Sequence, residues 1–124
     1  MSCRYEDLIA WRKAKALAAE VYRATEGFPR AEIYGLTSQL RRAAVSIASN
    51  VAEGQGRLTK GEFSHFLGQA RGSLFELETQ LSIALDLHFL REDDFKRLKE
   101  QSSEVRKVLN GLIESIRFHG AASG

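Results

Sequence analysis

One proline stands in the whole chain of 124 residues, Pro29. Proline is the residue that most strongly interrupts a helix, so long helices are free to run on either side of it. The apolar residues use that freedom. They recur at helical spacing throughout, and no stretch alternates apolar and polar residues with period two as a half-buried strand would.

Placing residues at about 100° steps predicts four helices. In the first, residues 6–25, Ala10, Trp11, Ala14, Leu17, Ala18 and Val21 share one arc, opposite Arg12, Lys13, Glu20 and Arg23. Gly27-Phe28-Pro29 ends it, since glycine tolerates a left-handed cap and proline suits only a helix start. The second helix is expected over residues 31–53, with Ile33, Leu36, Leu40, Ala43, Ile47 and Val51 inward, and Gly54 to Leu58 as the next break. Thr59-Lys60-Gly61-Glu62 is a capping box, the hydroxyl bonding forward and the glutamate reaching back. From it a third helix is expected to run to Leu90, about 45 Å long at the usual rise, burying Phe63, Phe66, Leu67, Ala70, Leu74, Leu77, Leu81 and Leu85. Glu92-Asp93-Asp94 places negative charge where a helix N-terminus favours it. The fourth helix buries Phe95, Leu98, Val105, Leu109, Leu112 and Ile116. The fold class expected is all-α, an antiparallel up-down four-helix bundle over residues 5–118, with a flexible N-terminus at 1–4 and a flexible tail at 119–124.

Composition narrows the function classes. Apolar residues make 44% and charged residues 27%, the balance of one soluble globular domain. Lys and Arg number 18 against 16 Asp and Glu, a net charge of +2, so bulk charge does not mark a nucleic-acid binder. A lone Cys3 excludes an intrachain disulfide framework and a multi-cysteine metal site. The polar, acidic start is no signal peptide, and no apolar run reaches the length of a membrane span. The cytoplasm is the expected compartment.

The outer faces are asymmetric. Helices one and four carry polar residues opposite their stripes. Helix two instead shows Tyr34, Val45, Ala48 and Ala52, and helix three shows Gly68, Gly72, Phe75, Thr79, Ile83 and Leu90. A helix apolar on two faces usually has two partners. The Gly68-x-x-x-Gly72 pair costs helix propensity, about 1 kcal/mol per glycine, and close approach of another backbone explains it. These residues are therefore the expected subunit interface of a homo-oligomer. Packing inside an irregular bundle is the alternative.

Tyr34-Gly35-Leu36-Thr37-Ser38-Gln39-Leu40-Arg41-Arg42-Ala43-Ala44-Val45-Ser46-Ile47 after Phe28-Pro29, and then Asn50-Val51-Ala52-Glu53-Gly54-Gln55-Gly56-Arg57, form a long motif. Phe63, Phe66-Leu67, Ala70 to Leu81 and the upstream Trp11 extend it. The chain resembles the four-helix-bundle proteins of the 23S rRNA intervening-sequence (S23) family over residues 5–118. The resemblance implies a bacterial, non-enzymatic, homopentameric bundle, sometimes encoded within ribosomal RNA genes. It also implies kinship with the accessory protein of diversity-generating retroelements, a basic pentamer that binds RNA and a reverse transcriptase.

Local motifs for chemistry are weak. Glu62-Phe63-Ser64-His65 spells half of a di-iron motif, but no second copy exists and both ligands point away from the stripe. His88 is expected on the core side of helix three as a packing residue, and His119 lies in the tail. No histidine has a serine or cysteine nucleophile beside it. Gly54-Gln55-Gly56-Arg57 lacks the lysine ending of a phosphate loop and follows a helix rather than a strand. No metal, cofactor or small-molecule substrate is expected.

Gln39, Ser46, Asn50 and Glu53 line one flank of helix two and are expected to hydrogen-bond to a neighbouring helix or subunit. Arg41, Arg42, Arg57, Lys60 and Arg71 are the candidate nucleic-acid contacts, with intersubunit pairing to Glu53, Glu76 and Glu78 as their other reading. Residues 30–57 carry four basic and two acidic side chains, and residues 60–90 carry two basic and four acidic, so these segments complement one another. The first reading is thus a homo-oligomeric binding or scaffold module. The second is an RNA-binding accessory protein that holds structured RNA, with a protein partner beside it, on a basic surface of the oligomer.

Overall fold

The computed structural model describes the backbone of residues 5–123 and the side chains of residues 9–117. Four helices follow one another, α1 (Tyr5–Thr25), α2 (Leu36–Gln55), α3 (Lys60–Asp86) and α4 (Glu92–Ser123), with a short 3-10 turn at Arg30–Glu32 before α2. Successive helices are neighbours and α4 closes on α1, so each helix packs on two others. The contacts between them run in opposite senses. Lys13 meets Glu104 while Glu20 meets Arg97, and Arg71 meets Asn110 while Glu78 meets Arg106. The layout is that of an antiparallel four-helix bundle. No strand occurs among the described residues.

The core is the one the periodicity predicts. Leu17, Val21, Leu40, Ile47, Val51, Leu67, Leu74, Leu77, Leu98, Val105 and Leu109 are fully buried. Trp11, Ala18, Leu36, Phe66, Leu85 and Phe95, expected inward, are only half-buried. Gly54 belongs to α2 rather than to a loop. A Cβ there would stand 2.8 Å from Cδ1 of Phe63 and 3.2 Å from Cβ of Phe66. The glycine lets the start of α3 close onto the end of α2.

Two boundaries differ from expectation. The second helix begins at Leu36 and not at residue 31, and Ile33, expected in its inner stripe, is 54% exposed. Gly35 departs from helical geometry, with φ −115° and ψ −116°. The Glu32 carboxylate accepts the Leu36 N–H at 3.0 Å and supplies the cap. The third helix stops at Asp86 and not at Leu90. His88 takes φ 62°, the Phe89 N–H reaches the Ala84 carbonyl at 3.0 Å, and the His88 N–H reaches that of Leu85 at 3.0 Å. This is a Schellman cap with histidine where glycine is usual. It turns the chain back over the bundle end, so Leu90, expected on the outer face, is buried, and the Phe89 ring lies 5.9 Å from that of Phe28. His88, expected on the core side, is exposed at the turn.

The remaining helix ends follow their sequence signals. Thr59 Oγ1 accepts the Glu62 N–H at 3.1 Å, the forward half of the capping box. Glu92, Asp93 and Asp94 open α4. That helix continues through the segment expected as a tail, as far as Ser123, while residues 1–4 lie outside the described residues.

Candidate functional site

Three sets of polar contacts fix which flank of each helix meets which neighbour. On α2, Ser46 Oγ lies 2.9 Å from Ser73 Oγ of α3, and Asn50 Nδ2 donates to the Ser46 carbonyl at 2.9 Å and hydroxyl at 3.0 Å. The Ser46–Ser73 contact is an inter-helix bond as expected of that flank, whereas Asn50 bonds within α2 and Gln39 is exposed. Glu53 instead pairs with Arg57 at 2.9 Å, within its own segment. Beside the serines a shallow cleft of about 300 Å³ opens between α2 and α3, lined by Gln39, Arg42, Ser46, Ser73, Glu76 and Gln80. Gln80 Oε1 is buried there with no hydrogen-bond partner among the described residues.

The opposite flank of α2 faces α1. Arg41 Nε donates to Thr25 Oγ1 at 2.9 Å, and its guanidinium stacks 4.6 Å above the Tyr22 ring. The Thr25 hydroxyl passes the chain of bonds on to the Val21 carbonyl at 2.8 Å. On α3, the flank turned away from α2 meets α4. Arg71 Nη1 donates to Asn110 Oδ1 at 3.2 Å, and Glu78 accepts from Arg106 Nη1 at 2.7 and 2.8 Å and from Ser102 Oγ at 2.9 Å.

These anchors place the expected interface residues. Val45, Ala48 and Ala52 share the Arg41 side of α2, beside α1. Gly68, Phe75 and Thr79 share the Arg71 side of α3, beside α4, with Gly72 and Ile83 along the crest. Val45, Phe75 and Ile83 are 43–49% exposed, and Tyr34, in the turn before α2, is 96% exposed. The described residues do not cover them. A Cβ added at Gly68 or Gly72 meets nothing within 4 Å, which sets aside packing inside an irregular bundle as the reason for these glycines. The residues expected at the interface therefore lie on two surfaces, separated by the polar cleft.

The five candidate nucleic-acid contacts do not gather on one face. Arg41 is held by α1 and Arg71 by α4. Arg57 pairs with Glu53 and lies 4.6 Å above the Phe66 ring. Arg42 and Lys60 are exposed and form no ion pair among the described residues. They lie at opposite ends of the α2–α3 hairpin. Of the acids expected to pair between subunits, Glu78 is used within the bundle, and Glu76 remains exposed at the cleft.

Sequence reasoning missed the Glu78–Ser102–Arg106 cluster. Its signal was Ser102 and Arg106 four residues apart on one flank of α4, opposite an acid on α3. Glu62 and His65 are exposed, with His65 Nε2 3.1 Å from Gln69 Nε2. Among the described residues no three histidine, cysteine or acidic side chains gather as a metal site would need. None of the described helices is long and apolar enough to cross a membrane.

Residues 6–111 match the family described as 23S rRNA-intervening sequence protein. The chain belongs to that family. A solved structure from Bacteroides thetaiotaomicron VPI-5482, described as a protein of unknown function from the S23 ribosomal protein family, is similar to it in fold. Their TM-score is 0.82 at 18% identity, covering 88% of this chain and 98% of that one. No curated protein matches it. The 23S rRNA-intervening sequence family thus accounts for the sequence motif, and the S23 neighbour for the four-helix fold. Neither description names a catalytic activity.

Proposed function

We infer that this member of the 23S rRNA-intervening sequence family is a non-enzymatic bundle that works as a homo-oligomer, a pentamer on the family resemblance, and serves as a binding or scaffold module. One observation carries the reading. Large apolar side chains stand exposed on α2 and α3, at Val45, Phe75 and Ile83, on helices that already have complete inner faces. Such surface on a small monomer favours association. The Gly68 and Gly72 positions, open in the single chain, suit the close approach of another helix.

Sedimentation velocity in 0.1 M and in 1 M salt tests it. Association driven by apolar burial persists at high salt, because screening acts on exposed charges. A sedimentation coefficient that stays that of a single bundle at both salts, up to tens of micromolar, would contradict the reading.

The second reading is an RNA-binding accessory protein of cytoplasmic location, with structured RNA and a protein partner on the assembled surface. It is favoured by Arg42 and Lys60, the two basic candidates that the bundle does not engage. Repetition around an oligomer multiplies such charges. RNA held in this way is released steeply as salt rises, since phosphate contacts release counterions. Failure to retain structured RNA at low salt would remove this reading and leave the first intact.

A further inference from the structure

The cleft between α2 and α3 carries opposite charges that the bundle leaves unpaired. The 2.9 Å contact of Ser46 with Ser73 sets the register of these antiparallel helices. It puts Ala43 across from Glu76 and Gln39 across from Gln80, one and two turns further along. Ala43 is 6% exposed and lines the cleft, so a single methyl stands where a larger side chain would fill the space. The hollow of about 300 Å³ lies at the lower end of small-molecule sites.

The rim is polar and unsatisfied. Arg42 and Glu76 both line the cleft and are exposed, yet neither forms an ion pair among the described residues. Gln80 Oε1 is buried there without a donor, a costly state for an acceptor. A simple anion would suit Arg42 and be repelled by Glu76, and a simple cation the reverse. A flat ring with acceptors on one edge and donors on another suits both. Among the nucleobases, guanine alone offers a carboxylate two adjacent donors, N1–H and N2–H, and a guanidinium two acceptors, O6 and N7. Adenine N1 and cytosine N3 would set a lone pair against the carboxylate, and uracil has one N–H between two carbonyls.

We propose that this cleft binds a guanine base, with its ring over Ala43. Arg42 donates to O6 and N7, Glu76 accepts N1–H and N2–H, and Gln80 Oε1 accepts the remaining N2 hydrogen. This rests on the RNA-binding reading for the source of the base, an unpaired guanine of an RNA loop, whose edges are free to be read. A free guanine nucleotide is the other source of the same chemistry.

Fluorescence anisotropy at low salt tests it, with RNA hairpins that differ in one base of a uridine loop. Loops carrying guanine, adenine, inosine and 7-deazaguanine are compared, and GMP and AMP are titrated beside them. Inosine lacks the 2-amino group that Glu76 and Gln80 read, and 7-deazaguanine lacks the N7 that Arg42 reads. The guanine loop is expected to bind about ten-fold tighter than the adenine loop, as one bidentate contact provides, with the two analogues between them. Glu76→Gln is expected to lose the preference for guanine over inosine, and Arg42→Gln that for guanine over 7-deazaguanine. Both positions are exposed, and circular dichroism checks that the variants keep wild-type helicity.

Hairpins bound equally whichever base the loop carries would overturn the guanine site and leave the RNA-binding reading standing. Discrimination that survives unchanged in both variants would also overturn it. GMP bound in preference to AMP, with every hairpin ignored, would uphold the site, make the free nucleotide its ligand and remove the RNA-binding reading. Failure to bind any probe would overturn both.

Discussion

Glu78 on α3 holds Nη1 of Arg106 on α4 with both carboxylate oxygens, at 2.7 and 2.8 Å, and accepts the buried Ser102 hydroxyl with one of them. The glutamate side chain is 13% exposed and the arginine 31%. This contact sets the register of α4 against α3. An apolar stripe alone would set it less sharply, because leucines one turn apart are interchangeable to a packing helix.

Removing the acceptor leaves a half-buried guanidinium without its partner. Glu78→Ala is expected to lower stability by about 1–3 kcal/mol, below the full cost of breaking a buried pair because water reaches Arg106. Urea unfolding of Glu78→Ala, Arg106→Ala and the double variant measures the coupling. Additive losses would contradict a specific pair.

Gly54 is held glycine by contact. In Gly54→Ala the new methyl meets the Phe63 ring and the Phe66 Cβ, and overpacking costs about 1–3 kcal/mol. Better helix propensity returns about 1 kcal/mol. The expected outcome is a net loss, read as a lower urea midpoint, where an exposed helical glycine such as Gly61 would gain from the same change.

His88 occupies the left-handed position of the α3 cap at φ 62°. Its side chain is exposed. His88→Gly is expected to raise stability by about 0.5–1 kcal/mol, the relief of left-handed strain less the added freedom of the unfolded chain. A thermal midpoint at or below that of the wild type would contradict the assignment of this turn.

The division of α3 into inner and outer faces makes a paired prediction. Leu77 is fully buried, and Leu77→Ala is expected to cost about 2–5 kcal/mol in unfolding experiments. Gly72→Leu is expected to keep helicity, to raise the unfolding midpoint of the single chain by removing an exposed helical glycine, and to reduce assembly. Identical behaviour of the two variants would contradict the division.

The inner stripes, the Thr59 cap and the apolar excess of α2 and α3 could all be read from the sequence, because each depends on residues within a turn or two of one another. The exceptions have local causes. Ile33 fits the stripe of α2, yet Gly35 and the Glu32 carboxylate start the helix three residues later. The end of α3 was hidden because a histidine stands where a glycine would have signalled the cap, which carried Leu90 onto the wrong face. Arg41, which the sequence offers as a nucleic-acid or intersubunit contact, and Glu78, offered as its intersubunit counter-charge, are both engaged within the bundle. Their partners, Thr25 and Arg106, lie on other helices, and periodicity within one helix does not say which flank meets which neighbour.

The working form proposed for this protein is an assembly of identical chains. Native mass spectrometry of the purified protein at micromolar concentration tests it most directly. An integral multiple of the 13.9 kDa chain is expected, five copies on the family resemblance, with little free monomer. A single species at 13.9 kDa would contradict it.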